Sequence, residues 1–318
     1  MGIKLKAIMK TAAVASAAYL AMGDAIYGVI LNKKFTQGKN IRREVSQELH
    51  DYYGKPEDQV DSDSWFVAVN PDDTVVVNSF GKEMHSHIFM QKEYTEKWAI
   101  VVHGYTSCPR AQADQAFHFY KQGYNVLMPY MISFGLDQSG YCSMGYHDKI
   151  YVKEWAEYIA ALDSQAKIVV LGVSMGSATT MMLTGEPDLV PNIRCAVADC
   201  GYTSAWDVFK NEMHVTYHLP AFPFLYAANT ASKLRGNFDF KKCSPLKAVA
   251  YSKTPTLFIH GEKDVFVPYS MLDKVYDACT AEKEKLSVPD AMHAESHEVH
   301  PEIYYPAVFK FVDKYFNT

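Results

Sequence analysis

The pentapeptide Gly172-Val-Ser-Met-Gly176 constrains the fold of this chain more than any other stretch. It follows residues 167–171, an apolar run rich in β-branched side chains that predicts a buried strand, and it precedes residues 177–183, which predict a helix. A G-x-S-x-G sequence between a strand and a helix is the pattern of a nucleophile elbow. Side chains at the two glycines would crowd this sharp turn, so we expect Ser174 to stand at the end of a sheet.

Strands and helices alternate from residue 65 onward. Predicted strands also cover residues 65–69, 74–77, 85–89, 98–102, 125–129, 194–199, 256–260 and 285–288, and further helices cover 111–122, 149–162 and 301–315. The first three strands are predicted to be antiparallel. Alternation of this kind predicts an α/β fold with a doubly wound, mostly parallel sheet. Residues 204–242 interrupt it, and we interpret them as a helical cap insertion over the carboxyl edge of the sheet; a packed insertion without substrate contact is the alternative.

The first 34 residues form a separate hydrophobic segment. Residues 11–31 are apolar apart from Asp24 and have lysines on both sides, which is typical of a single membrane anchor. Asp24 opposes this interpretation, because a carboxylate deep in a bilayer costs about 2.5–3.5 kcal/mol. A cleaved signal peptide, with Ala21 and Gly23 before the cut, and a helix lying on a surface are the alternatives. Membrane association through residues 11–31 is therefore the first expectation for localisation, and a secreted or cytoplasmic chain is the alternative. Residues 35–62 are polar and predict a linker or a short helix.

Composition excludes several classes of function. The net charge of −5 makes nucleic acid an unsuitable partner. The six cysteines are too sparse for a disulfide scaffold and include no C-x-x-C pair, so a structural zinc site is not expected.

A serine needs a base, and the base needs a residue that orients it. In an open α/β sheet these residues come from loops at the carboxyl ends of strands. The loop after residues 256–260 offers Asp264, and the loop after residues 285–288 offers His293. The chain order Ser174, Asp264, His293 is the order of an α/β-hydrolase triad.

Other residues compete for two of these positions. Asp199 also ends a strand and is the alternative acid, while His297 and His300 are later alternatives to His293. His85 and His87 share a strand face that could hold a metal, but a solvated face is the simpler interpretation, and no metal site is predicted.

Two further groups of residues complete the predicted site. The strand at residues 98–102 leads into His103-Gly104, and we expect the backbone N–H groups of Tyr105 and Met175 to form an oxyanion hole. His103 is expected to support that loop. Phe222, Phe224 and Tyr226 in the cap are candidates for the substrate pocket.

Several motifs together resemble those of the α/β-hydrolases, and within them the bacterial YqkD-like serine hydrolases. The matching stretches are His103-Gly104, Gly172–Gly176, Ala198-Asp-Cys200, Leu234-Arg-Gly236, Ser244-Pro-Leu246, Phe258-Ile-His-Gly261 with Asp264, and His293-Ala-Glu-Ser296. The resemblance covers residue 65 to the C-terminus and implies an α/β-hydrolase domain over residues 63–318. Residues 133–139 depart from the Arg-Gly-His-Gly turn of relatives, which leaves inherited substrate preference open.

The resemblance implies hydrolysis of carboxylic esters, and esters with small or medium acyl groups are the first expectation. The predicted triad would act through an acyl-enzyme and needs no cofactor. A thioesterase or a peptidase using the same triad is the first alternative, and a non-catalytic binding protein is the second. The sequence leaves the natural substrate and the oligomeric state undetermined.

Overall fold

The computed structural model describes residues 2–31, 62–69, 72–132 and 140–317. Within these ranges the strands form one eight-stranded sheet in the order β1-β2-β4-β3-β5-β6-β7-β8. The strands are β1 (Asp72–Val77), β2 (Glu83–Phe89), β3 (Lys97–Val102), β4 (Asn125–Pro129), β5 (Lys167–Val173), β6 (Ile193–Asp199), β7 (Thr256–Gly261) and β8 (Lys283–Val288).

Pairing within this sheet is mostly parallel. Strand β2 pairs antiparallel with both β1 and β4, and every other neighbouring pair is parallel. Helices cover both faces, so the prediction of a doubly wound, mostly parallel α/β sheet is confirmed.

Helices occupy the connections and the two ends of the chain. They are α1 (Gly2–Leu31), α2 (Ser62–Ala68), α3 (Ala113–Lys121), α4 (Asp148–Leu162), α5 (Met175–Thr184), α6 (Ala205–Val215), α7 (Phe224–Arg235), α8 (Pro245–Val249), α9 (Ser270–Ala278), α10 (Ser296–Val299) and α11 (Pro301–Phe316), with a 3₁₀ turn at Pro109–Gln112.

The central strand β5 explains why the sheet needs cover on both faces. Ile168 and Val170 pack into the apolar cluster on one side, whereas Val169 and Leu171 pack into the cluster on the other side. Successive side chains of a strand point to opposite faces, so a continuous apolar run is buried only between two layers of helices.

The strand predicted at residues 65–69 is wrong, because α2 occupies this position. Trp65 and Phe66 are consecutive and both buried, and both rings pack against Phe89, with the Trp65 ring centroid 4.3 Å away. Neighbouring residues of a strand would face opposite sides of the sheet. A helical turn lets two adjacent aromatic rings cover the same end of β2.

Two sequence predictions fall largely outside the described residues. The linker predicted over residues 35–62 is described only at Ser62, and the whole departing turn at residues 133–139 is not described. The insertion predicted at residues 204–242 is described and contains α6 and α7; its role as a substrate cap stays a prediction.

Helix α1 is the one described helix that is long and apolar enough to cross a membrane. Its first part, from Lys10 to Ala18, is exposed, whereas Tyr27 and Leu31 near its end are buried against the rest of the protein. By length and composition alone, such a helix is compatible with an anchor or with a signal sequence.

Candidate active site

The turn between β5 and α5 holds Ser174 in a strained backbone conformation, with φ 57° and ψ −115°. The flanking glycines permit this turn by close approach. A Cβ on Gly172 would lie 2.1 Å from the carbonyl oxygen of Gly176, and a Cβ on Gly176 would lie 2.1 Å from the carbonyl oxygen of Val102. Strain at a non-glycine residue costs about 1–3 kcal/mol and persists only where the surroundings enforce it.

Three side chains from three strand ends form a continuous hydrogen-bonded chain. The Ser174 hydroxyl donates to Nε2 of His293 over 2.8 Å, and Nδ1–H of His293 donates to Oδ2 of Asp264 over 2.7 Å. Ser174 follows β5, Asp264 follows β7 and His293 follows β8, so the parallel strands deliver all three to one edge of the sheet. The structure brings together all three residues that the sequence nominated.

Asp264 is held by two further partners. Its Oδ1 accepts the backbone N–H of Val267 at 2.8 Å, and Nε2 of His260 lies 3.1 Å from its Oδ2. Burial raises the pKa of this carboxyl, but the hydrogen bonds from His260 and His293 outweigh that effect and lower the pKa overall. Asp264 is therefore a carboxylate at neutral pH. His260, which ends the Phe258-Ile-His-Gly261 motif, was not assigned a role from the sequence.

Asp199, the alternative acid, lies at the end of β6 but takes a different place. Its backbone carbonyl accepts the N–H of Ser174 at 2.9 Å, while Nδ1 of His293 bonds to Asp264 instead. Its side chain is fully buried, and burial raises its pKa to about 6. Asp199 therefore supports the elbow through its backbone.

The alternative bases lie elsewhere. His297 is buried with its ring centroid 6.0 Å from that of Tyr304, and burial lowers its pKa. Nδ1 of His300 lies 2.8 Å from a carboxylate oxygen of Glu302 on the surface. Of these candidates, His293 alone lies within hydrogen-bonding distance of Ser174.

The loop after β3 lies against the elbow. A Cβ on Gly104 would lie 3.4 Å from Cβ of Ser174, so this loop passes beside the hydroxyl. Met175 begins α5, where backbone N–H groups lack partners inside the helix. Tyr105 follows Gly104 in this loop and Met175 follows Ser174, so both residues belong to segments that lie next to the elbow.

His103 fixes this loop through both ring nitrogens. Nδ1–H donates to the carbonyl of Gly104 over 2.8 Å, and Nε2 accepts the N–H of Met131 over 3.1 Å. This pattern requires the neutral ring, and complete burial lowers the pKa of His103 to about 4. His103 is a structural support of the loop, as the sequence suggested.

The aromatic pocket candidates lie on the cap surface. Phe222 and Tyr226 are in contact with each other and are 70% and 43% exposed, whereas Phe224 packs on the core. Phe266 was missed by the sequence reasoning; its ring centroid lies 4.8 Å from that of His293. It follows Asp264 by two residues, which was the available signal.

One group of metal-binding residue types occurs in the described part of the chain. The ligand atoms of Cys200, Asp264 and His293 lie within 4.8 Å of one another. Two of these residues are already hydrogen-bonded to each other, so a metal ion here would displace the Ser174–His293–Asp264 chain. His85 and His87 instead pair with acidic side chains on the strand surface.

Comparison with known proteins identifies the family of the chain. Residues 138–318, more than half of the chain, match the prolyl oligopeptidase family. The chain belongs to the prolyl oligopeptidase family. The matched region includes the elbow, Asp264 and His293, so the chain is a serine hydrolase with an α/β-hydrolase fold.

Proteins similar to this prolyl oligopeptidase family member include an esterase and a peptidase. The chain is 23% identical over 297 residues to the uncharacterized protein YqkD of Bacillus subtilis strain 168, covering 93% of each chain. The esterase Pf2001 of Pyrococcus furiosus superposes with a TM-score of 0.62 at 21% identity, covering 77% of this chain and 93% of the esterase. The acylaminoacyl peptidase of Pyrococcus horikoshii superposes with a TM-score of 0.58 at 15% identity, covering 77% of this chain and 41% of the peptidase. At these identities the two structures show the fold alone.

Proposed function

We propose that the protein hydrolyses carboxylic esters through a Ser174–His293–Asp264 triad. The observation that carries this proposal is the continuous hydrogen-bonded chain from Ser174 Oγ through the His293 ring to Asp264. The His293 ring has the orientation that the reaction needs, because Nδ1 faces a carboxylate and Nε2 faces the hydroxyl.

The reaction then proceeds in two half-reactions. Ser174 Oγ attacks the ester carbonyl while His293 Nε2 takes the hydroxyl proton, and Asp264 stabilises the imidazolium. The proton passes to the departing alcohol, which leaves an acyl ester on Ser174. Water attacks this ester with His293 again as the base, which releases the carboxylic acid and restores the hydroxyl.

The backbone N–H groups of Tyr105 and Met175 are proposed to stabilise the oxyanion in both half-reactions. Gly104 and the amino end of α5 support this assignment by their position beside Ser174. Loss of one such donor typically costs about 2.7–4 kcal/mol of transition-state stabilisation.

The same triad would serve a peptidase, and membership of the prolyl oligopeptidase family makes this the second candidate. An apolar side chain at the site supports the ester proposal. Phe266 lies against His293, and an apolar ring beside the catalytic base suits an apolar acyl group better than a charged peptide. Phe222 and Tyr226 stay candidates for the substrate pocket.

The test uses p-nitrophenyl esters of graded acyl length beside aminoacyl p-nitroanilides. We expect ester turnover and fluorophosphonate labelling in the wild type, and neither in Ser174→Ala. Turnover by Ser174→Ala at the wild-type rate would refute the role of Ser174. Faster turnover of the anilides than of every ester would instead favour the peptidase.

We also propose that α1 attaches the protein to a membrane. Its length and apolar composition support this, and the basic residues on either side of residues 11–31 are compatible with it. Fractionation of the full chain, beside a chain beginning at Lys33, tests the attachment. Recovery of the full chain in the soluble fraction would refute it.

A further inference from the structure

The carboxyl end of α1 is bonded directly to the catalytic domain. The last carbonyl groups of a helix lack partners within the helix. Here the Tyr105 hydroxyl donates to the carbonyl of Ile30, and the N–H of Cys142 donates to the carbonyl of Leu31 over 2.9 Å. The end of α1 is therefore held beside the loop that carries Tyr105.

A second contact connects the same helix end to the elbow. Sγ of Cys142 lies 3.5 Å from Sδ of Met175. Tyr105 contacts Ile30 directly, and Met175 is connected to Leu31 through Cys142, so both proposed oxyanion residues lie within one or two contacts of the end of α1. The end of α1 therefore lies next to the active site.

The second half of α1 packs as part of the protein. Gly23 lies so close to α7 that an added Cβ would be 2.3 Å from the carbonyl oxygen of Ala227. Tyr27 and Leu31 are almost completely buried, and the Tyr27 ring stacks on Tyr141 with centroids 4.8 Å apart. Lipid cannot surround this half of the helix while these contacts hold.

Asp24, the charge that interrupts the apolar run, pairs with Arg235 at the end of α7. The uncharged stretch between Lys10 and Asp24 is residues 11–23, about 20 Å of helix. The hydrocarbon core of a bilayer is about 30 Å thick. Within this stretch Val14 is 70% exposed and Leu20 is 46% exposed. This stretch is too short to cross a bilayer. The exposed part of α1, from Lys10 to Ala18, can lie along the interface of one leaflet, where its apolar side chains enter the hydrocarbon and the basic end of the helix stays among the headgroups.

From this geometry we propose that the first half of α1 lies along the interface of one leaflet, with its apolar side chains inserted and its basic end among the headgroups, while its second half stays docked. The active site then lies at the bilayer surface, and its substrate is an acyl ester of a membrane lipid. This inference rests on the proposed ester hydrolysis at Ser174. The lipid acyl group passes from the alcohol oxygen of the ester to Ser174 Oγ and then to water, which yields a fatty acid and the deacylated lipid.

Charge and exposed aromatic rings favour a bilayer, over another protein, as the partner of the exposed first half of α1. Lys4, Lys6 and Lys10 precede the apolar stretch, where cationic side chains suit anionic headgroups. The cap beside α1 exposes Phe222 and Tyr226, and amphipathic aromatic rings are common at the level of the headgroups.

The test compares the full chain with the double variant Val14→Glu, Leu20→Glu. The matched control is Val77→Glu, Leu162→Glu, which changes two exposed apolar residues that are 64% and 59% exposed on other elements. Each chain is assayed on soluble p-nitrophenyl butyrate and on a long-chain diacylglycerol in vesicles of phosphatidylcholine and phosphatidylglycerol. We expect the α1 variant to lose roughly 10-fold or more of the vesicle activity, because charge opposes insertion. Its activity on butyrate should match that of the wild type, and the control should keep both activities.

Unchanged vesicle activity in the α1 variant would overturn the inference and leave ester hydrolysis standing. Absence of butyrate turnover in the wild type would instead reject the proposed function. Insertion into one leaflet also predicts that an epitope tag placed before Met1 stays sensitive to protease added outside the vesicles. Protection of that tag would show that α1 crosses the bilayer and would overturn the one-leaflet arrangement. Equal melting temperatures of the variants establish that the folded protein is being compared.

Discussion

Replacement of Asp264 by Asn tests the proposed triad, because it changes which ring nitrogen of His293 carries the proton. Both carboxylate oxygens of Asp264 accept hydrogen bonds: Oδ1 from the N–H of Val267 at 2.8 Å, and Oδ2 from His293 at 2.7 Å. An asparagine offers one oxygen. If that oxygen keeps the Val267 bond, the amide NH₂ faces Nδ1 of His293 and donates to it. The ring proton must then move to Nε2, which faces Ser174 and can no longer accept its proton.

The expected loss follows from this change of tautomer. In a triad of this kind, the equivalent substitution lowers kcat by about 10⁴, or about 5.5 kcal/mol of transition-state stabilisation. The matched control is Asp199→Asn, the same chemical change at the end of the neighbouring strand β6. Asp199 makes no hydrogen bond to His293 in the described structure, so this variant should stay within about tenfold of the wild type.

Initial rates on a p-nitrophenyl ester give kcat and KM for the three chains, and thermal unfolding followed by circular dichroism verifies that each is folded. We expect a large loss of kcat with a small change in KM for Asp264→Asn. A greater loss in Asp199→Asn, or equal losses in both folded variants, would refute the assignment of Asp264 as the acid.

Three further predictions concern the surroundings of the site. Burial raises the pKa of Asp199 to about 6, so between about pH 4 and pH 6 the native state binds a proton that the unfolded chain has released. The contribution of Asp199 to the free energy of unfolding therefore declines by on the order of 3 kcal/mol as the pH rises from about 4 to 7. Asp199→Asn should remove this decline in urea unfolding at pH 4.5 and 7.5, and an unchanged pH dependence would contradict the reasoning. His103→Asn should lower kcat by up to about 10²–10³, because the loop that contains Tyr105 loses the hydrogen bonds of the His103 ring. A wild-type kcat in this variant would show that the loop keeps its conformation without His103. Gly176→Ala should yield an inactive or unfolded chain, because the new Cβ would overlap the carbonyl oxygen of Val102. The control Gly28→Ala has open space around the new Cβ and should remain active. An active Gly176→Ala enzyme would contradict the close approach at the elbow.

Local patterns were sufficient for the strands around the site. The continuous apolar run at residues 98–102 and the five residues at 125–129 correspond closely to β3 and β4. Chain order alone paired Asp264 and His293 with Ser174, since loops after parallel strands meet at one edge. The wrong strand prediction at residues 65–69 also has a local cause. A short apolar run carries no clear period, and only contact with Phe89 distinguishes the helix from a strand.

The sequence by itself determined the strand-turn-helix setting of Ser174, because glycine spacing and hydrophobic periodicity act over a few residues. Tertiary structure decided what is separated along the chain. It placed His260 on Asp264, Phe266 on His293 and the end of α1 on Tyr105. The physical reason is that hydrogen bonds and packing depend on distances in space, which no local pattern encodes. Asp24 shows the difference: in the sequence it is a charge within an apolar run, and in the fold it is half of an ion pair with Arg235.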